Sequence, residues 1–171
     1  MKKISIINTG GTFNKVYNPK NGTLEIDKTS KSLEDIAQKW LCTFEIINII
    51  GKDSLDITPT DRDTILHTIQ KSDTSHILIV HGTDTIDITA RYLANATLDK
   101  IVVLTGAMVP YSIDSLEATA NFASAYGYLH ALEKHGVYIA MNGVLGNYTQ
   151  ITKNRNEGRF SFISDKNYTQ F

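Results

Sequence analysis

Cysteine is nearly absent: Cys42 is the one cysteine in the chain, so no intrachain disulfide can form. CxxC spacing is missing too, and so is a plausible Cys/His metal cluster. Long apolar runs are lacking, and none approaches the ~20 residues of a membrane span. The start, MKKISIINTGG, sets two lysines before an apolar stretch, but Ile4–Ile7 is too short for the core of a signal peptide and ends at Asn8 and Thr9. An excess of either charge is also missing. Lysine plus arginine number 17 against 18 acidic residues, a net charge of −1, whereas nucleic-acid and anionic-membrane binders concentrate positive charge. These absences lead to the expectation of a cytoplasmic protein with neither nucleic acid nor membrane as partner, and they leave room for a small-molecule substrate.

What the chain does contain is a series of short β-branched runs, each followed by loop-forming residues: Ile4–Ile7, Phe44–Ile50, Ile77–Val80, Ile101–Leu104 and Val137–Met141. Consecutive apolar positions suit strands buried on both faces, as in a parallel sheet. Helical patterns fall between them. Ser32–Leu41 carries Leu33, Ile36, Ala37 and Trp40 at helical spacing; a second helix opens at Thr58-Pro59, where threonine caps and proline suits the first turn. A third follows His81–Thr85 with Ala90, Leu93 and Ala94, and a fourth spans roughly Ile113–Lys134. Alternating strand and helix predict an α/β domain: three layers, doubly wound, with a mostly parallel sheet in flavodoxin-like order. With no repeat or linker, residues 1–171 read as one domain. Two turn signals, Asn18-Pro19 and Asn21-Gly22, make 14–27 a flexible hairpin or lid, and the looser pattern near the end makes 154–171 an extended arm.

Ligands of open α/β sheets bind beyond the carboxyl ends of the strands, so those loops are the ones to read for chemistry. Thr9-Gly10-Gly11-Thr12 follows the first strand; its glycines permit a sharp turn with N–H groups free for an anion or oxyanion. It matches neither GxGxxG nor a P-loop, and by itself a plain tight turn explains it as well. His81-Gly82-Thr83-Asp84-Thr85 follows a later strand and sets hydroxyl, carboxylate and imidazole on one turn; Thr83 or Asp84 as a helix cap is the structural alternative. The two together are far more specific than either.

The pair TGGT and HGTDT resembles the two signature motifs of the bacterial-type L-asparaginase family. Three further stretches match in order: Asp53-Ser54-Leu55-Asp56-Ile57-Thr58-Pro59 is similar to the family's substrate-binding loop, Leu104–Pro110 to its fourth strand and turn, and Thr152-Lys153 to the position of its catalytic lysine. The resemblance covers essentially the whole chain but only the family's larger, N-terminal domain. It implies hydrolysis of the side-chain amide of L-asparagine, or a related small amide, to aspartate and ammonia, with no metal or organic cofactor. On this resemblance Thr12 is the nucleophile, supported by a lid tyrosine, for which Tyr17 is the candidate. Thr83, Asp84 and Lys153 form a second hydroxyl–carboxylate–amine set. Gly11, Ser54, Leu55, Gly82, Thr83 and Asp84 hold the substrate, and backbone N–H groups near Gly11 and Thr83 face the oxyanion. The family also implies a homo-oligomer, a dimer or tetramer.

Set against those roles are plainer ones. Thr12 suits a turn hydrogen bond, Tyr17 a surface position, Ser54 a turn cap and Lys153 a solvated loop. His81 reads as a satisfied histidine beside a strand end, His67, His76, His130 and His135 as structural, and Cys42 as a buried small hydrophobe. The sequence departs from the family by ending at Phe171, without the smaller C-terminal domain that helps complete a neighbouring subunit's site. It also carries Leu55 where a polar residue is common, Glu117 in place of aspartate near Asn121, and Phe13 in place of isoleucine. Three functions follow in order: an asparaginase-like amidohydrolase, a non-catalytic amino-acid or amide-binding module, and a partner-dependent amidotransferase-type subunit.

Overall fold

The computed structural model describes residues 2–164. In chain order the elements are β1 (Ile4–Gly10), β2 (Lys15–Asn18), β3 (Thr23–Ile26), α1 (Lys31–Lys39), β4 (Glu45–Lys52), α2 (Pro59–Lys71), β5 (His76–Val80), α3 (Ile86–Ala94), β6 (Ile101–Thr105), α4 (Ser115–Ala131), β7 (Gly136–Met141), β8 (Val144–Asn147), β9 (Ile151–Asn154) and β10 (Arg159–Phe162). The main sheet runs β4-β1-β5-β6-β7-β8. Its first five strands are parallel, and β8 turns back antiparallel against β7. Counting the parallel strands alone gives the order 2-1-3-4-5, the flavodoxin-like arrangement expected from the alternation of elements. The chain reverses its winding direction between β1 and β5, so their carboxyl ends form the switch-point crevice.

Strand alternation sorts the core into two layers. On one face Ile4, Ile6, Leu78, Val80, Val103 and Ala140 pack against Leu33 and Ile36 of α1 and Ala118, Phe122, Ala125 and Leu129 of α4. On the other, Ile7, Ile77, Ile79, Leu104 and Ile139 meet Ile65 and Ile69 of α2 and Ile86, Ala90 and Leu93 of α3. Each of these buried branched side chains contributes roughly 1.5–3 kcal/mol of transfer free energy. Among the described residues no helix is long and apolar enough to cross a membrane.

Several element ends differ from the expected ones for local reasons. Helix α1 stops at Lys39 because Leu41 adopts a left-handed φ of 54°, after which the Cys42 N–H closes on the Ala37 carbonyl. That turn carries Cys42 outward: it is exposed, contrary to the buried position expected from its residue type. The fourth helix begins at Ser115 rather than Ile113 because the Asp114 carboxylate caps it, accepting from the Leu116 N–H. At α2 the expectation is met in full: Thr58 and Asp61 form a reciprocal capping box with Pro59 at the first position. Residues 15–26 form the antiparallel β2–β3 hairpin, and 151–162 contain the β9–β10 hairpin. Of the arm expected over 154–171, residues 165–171 lie outside the described residues.

Candidate active site

Three turns at the switch point are packed backbone to backbone. Gly11 has φ 73°, and a Cβ there would sit 2.5 Å from the Cα and N of Gly82. A Cβ on Gly82 would lie 2.6 Å from Ser54 Cβ and 2.9 Å from its backbone nitrogen. No side chain fits at either glycine, so the TGGT turn, the HGTDT turn and the Ser54 loop close on one another only because both are glycine. Thr9 adds a side-chain tie, its hydroxyl donating to the Val80 carbonyl at 3.0 Å. The Gly11 N–H is committed to the Lys52 carbonyl at 2.9 Å.

Thr12 opens a short 3-10 turn, Thr12–Asn14, and is partly exposed. Its hydroxyl has no protein hydrogen-bond partner among the described residues. The turn is pinned from both sides. Phe13 is fully buried between Tyr111 and Phe122, and Asn14 and Asn8 exchange amide hydrogen bonds at 2.8 and 3.2 Å. Asn8 also reaches Ser30 and Asn48, which bond to each other, and the Asn14 amide donates to the Gly10 carbonyl. A free nucleophile-type hydroxyl on a rigid turn is what the geometry delivers here.

The second set lies on the neighbouring turn. Lys153, on β9, has a side chain only 5% exposed. Its ammonium donates to Thr83 Oγ1 at 2.8 Å and to Asp84 Oδ1 at 2.6 Å. The solvated-loop reading of this lysine therefore does not hold: β9 returns along the sheet edge and carries it inward. Nor do Thr83 and Asp84 cap the following helix. Helix α3 has Thr85 at its cap position and no side-chain cap, which leaves both groups to Lys153. Ser54 is buried; its hydroxyl accepts the Asp84 N–H at 3.2 Å and its carbonyl accepts the Thr85 hydroxyl at 2.7 Å. The loop before it is tied to the base of the β2–β3 hairpin by the Lys15–Asp53 ion pair at 2.6 Å.

His81 is engaged elsewhere, with both ring nitrogens bonded away from Thr12 and Lys153. It is fully buried, with Nδ1 2.7 Å from the Gly82 carbonyl and Nε2 2.9 Å from the Thr89 hydroxyl, which also accepts from Arg62 Nε. Burial, helped by nearby Arg62, pushes its pKa down to about 4, against the opposing influence of the Gly82 carbonyl and Asp87.

The fold thus brings Gly11, Thr12, Ser54, Gly82, Thr83, Asp84 and Lys153 to one crevice. Leu55 stands beside it with its side chain largely in solvent, 72% exposed. Tyr17 lies on the outer part of the hairpin, 61% exposed and paired across to Leu24, and has no contact with the cluster. Two residues at the site were not anticipated. Arg155 donates to the Asp84 carbonyl at 2.6 Å and pairs with Asp87 at 3.2 Å. Met108 receives the Thr83 hydroxyl at 3.4 Å. The spacing of Arg155, two positions after Lys153, was the one available signal for it.

Comparison with known proteins agrees with this geometry. The model of the asparaginase N-terminal family matches residues 3–170. L-asparaginase 2 of Bacillus subtilis (strain 168) is 26% identical over 179 residues, covering 97% of this chain and 48% of that protein. A probable periplasmic L-asparaginase of Haemophilus influenzae is 30% identical, covering 90% of this chain and 46% of its own length. Among solved structures, the thermostable L-asparaginase from Thermococcus kodakarensis superposes with a TM-score of 0.77 at 25% identity, over 94% of this chain and 51% of that one. The chain spans about half the length of the relatives it matches. With its sheet order, crevice and sequence all in agreement, the chain belongs to the asparaginase family, aligning with the family's N-terminal domain.

Proposed function

We propose that this chain is an amidohydrolase of the L-asparaginase type that hydrolyses the side-chain amide of L-asparagine, or of a related small amide, through Thr12. The observation that carries this reading is the buried Lys153 ammonium bonded to both Thr83 and Asp84, one turn from a Thr12 hydroxyl that no group among the described residues occupies. A lysine brought into a protein interior and matched to one hydroxyl and one carboxylate is arranged to handle protons.

In this reading Thr12 Oγ1 attacks the amide carbonyl carbon, and its proton passes to the departing nitrogen, which leaves as ammonia. The resulting ester is then opened by water, which regenerates the hydroxyl. The N–H groups of Thr12 and Thr83 face the oxyanion, each such donor being worth about 3 kcal/mol of barrier. Lys153 lowers the cost of removing a proton from Thr83 or from water, and Asp84 balances its charge. Ser54 and Asp84 hold the polar end of the substrate. Tyr17 reaches Thr12 only if the β2–β3 hairpin swings inward over the crevice, and Lys15–Asp53 is the contact about which it would turn. Assembly into a dimer or tetramer belongs to the same reading.

The exposed Leu55 on the substrate loop favours a second reading, an amide-binding module without turnover. Ammonia release from asparagine and from glutamine, measured for wild type, Thr12→Ala and Lys153→Ala, separates the two. Release abolished by both substitutions supports hydrolysis. Binding of asparagine by calorimetry without any release would replace it with the binding module.

A further inference from the structure

We propose that Met108 is a positioning residue for Thr83, its thioether sulfur holding the hydroxyl hydrogen so that the oxygen lone pairs face Lys153 and the crevice. This deepens the amidohydrolase reading and rests on it.

The argument begins with donors and acceptors. A lysine ammonium has three hydrogens and no lone pair, so in the Lys153–Thr83 contact at 2.8 Å the hydroxyl oxygen must accept. The hydroxyl's own hydrogen has to point elsewhere, and Met108 Sδ, at 3.4 Å, is where it goes. Sulfur is a weak acceptor. The hydrogen is therefore oriented yet lightly held, which suits a hydroxyl that must give it up and take it back. A strong acceptor in the same place would bind the hydrogen in the resting state and oppose its transfer.

Met108 is also fixed from behind. Its N–H lies 3.1 and 3.0 Å from the two oxygens of Glu117, and the Val109 N–H reaches the second of these at 3.1 Å. Glu117 is held in turn by the Asn121 amide at 2.8 Å, and Asn121 accepts the Asn142 N–H. The methyl end of Met108 lies against Gly158 in the β9–β10 turn, 3.5 Å from where a Cβ would stand. The sulfur is thus set by α4 on one side and by the hairpin that carries Lys153 on the other. Glu117 replaces the shorter aspartate expected there, and its extra length is used in reaching these two N–H groups.

Leucine at 108 keeps the bulk and removes the lone pairs. Met108→Leu is expected to lower kcat for amide hydrolysis roughly three- to tenfold, the worth of one weak hydrogen bond, with KM and the thermal midpoint unchanged. Hydrogen peroxide perturbs the same atom in the opposite sense. The sulfide takes one oxygen and loses two electrons, peroxide is reduced to water, and the sulfoxide so formed is a strong acceptor. In a Cys42→Ser background, oxidation at Met108 should inactivate wild type and spare Met108→Leu; Met141, 1% exposed, is the protected internal control. Contact itself is read without turnover from the methyl resonances of 13C-methyl-methionine protein, where Thr83→Val should shift the Met108 signal. Unchanged kcat in Met108→Leu, equal peroxide sensitivity in both proteins, or an unmoved Met108 resonance would overturn the proposal. If wild type released no ammonia from any amide tested, the amidohydrolase reading and the catalytic role of Met108 would fall together, and a shifted resonance would keep only the contact.

Discussion

Acid should weaken this fold in two separate steps, and His81 dominates the first. Its imidazole is fully buried between the Gly82 carbonyl and the Thr89 hydroxyl, with its pKa depressed to about 4 from an ordinary 6.5. In the unfolded chain the ring binds a proton as pH falls through 6.5, whereas the folded protein resists until about 4. Stability from this residue is therefore complete above pH 6.5 and is lost progressively on the way down to 4. Linkage gives a loss of about 1 kcal/mol at pH 5.5 and of between about 2 and 3 kcal/mol at pH 4.5. His76 adds a smaller effect of the same sign, its pKa lowered by burial and then by Lys2. Carboxylates enter later. Burial opposes the shift at Asp61, but hydrogen bonds from Lys52 and Thr58 bring its pKa to about 2, so its share is lost only below about pH 4. Urea unfolding at about pH 7, 5.5 and 4.5 is the assay. With a urea dependence of about 2 kcal/mol per molar, the wild-type midpoint should fall by about 0.5 M and then by about 1 M relative to pH 7. His81→Asn can still donate to the Gly82 carbonyl but gains no proton; it starts less stable and should lose most of the pH slope. A wild-type midpoint flat from pH 7 to 4.5, or an equal slope in His81→Asn, would refute the reasoning.

Two further substitutions test the packing. Gly82→Ala places a methyl 2.6 Å from Ser54 Cβ and should destabilise by about 1–3 kcal/mol and suppress amide hydrolysis. Gly127→Ala in α4 meets nothing within 4 Å and should stabilise by about 0.5–1 kcal/mol; thermal melts that ranked the two the other way would contradict the close-contact account. Thr58→Ala removes the cap of α2 and should cost about 1 kcal/mol in urea unfolding; an unchanged midpoint would contradict the capping account.

The parallel sheet was legible because its strands are short runs apolar on both faces, and only a strand buried on both sides needs that. The crevice was legible for a related reason: glycines and hydroxyls directly after such strands have few structural uses. Other parts were hidden in elements with weaker signatures. Strands β8, β9 and β10 are four residues each and mix polar with apolar positions, so Thr-Lys-Asn-Arg reads as loop although it carries a lysine inward. Cys42 was misread because residue type speaks for burial while the left-handed Leu41 decides direction, and nothing in Trp-Leu-Cys-Thr marks that turn. Met108 and Arg155 reach Thr83 and Asp84 from 25 and 71 positions away along the chain, so beyond the spacing of Arg155 from Lys153 no local pattern marks them. The Asn8–Asn14–Asn48 network is of the same kind: three asparagines that look like turn formers meet beneath the Thr12 turn.

The touching backbones of Gly11 and Gly82 bear on how such a site can be inherited or transplanted. The two signature stretches stand seventy-one positions apart by their residue numbers, yet each glycine exists to admit the other, and Gly82 admits Ser54 as well. Neither turn holds its shape without the surface the other provides. A recombination point anywhere between them would separate two halves of one contact, and a loop graft carrying only one would deliver residues without their geometry. The smallest portable piece of this contact is therefore the pair of strands β1 and β5 with both turns and the Ser54 loop, moved together.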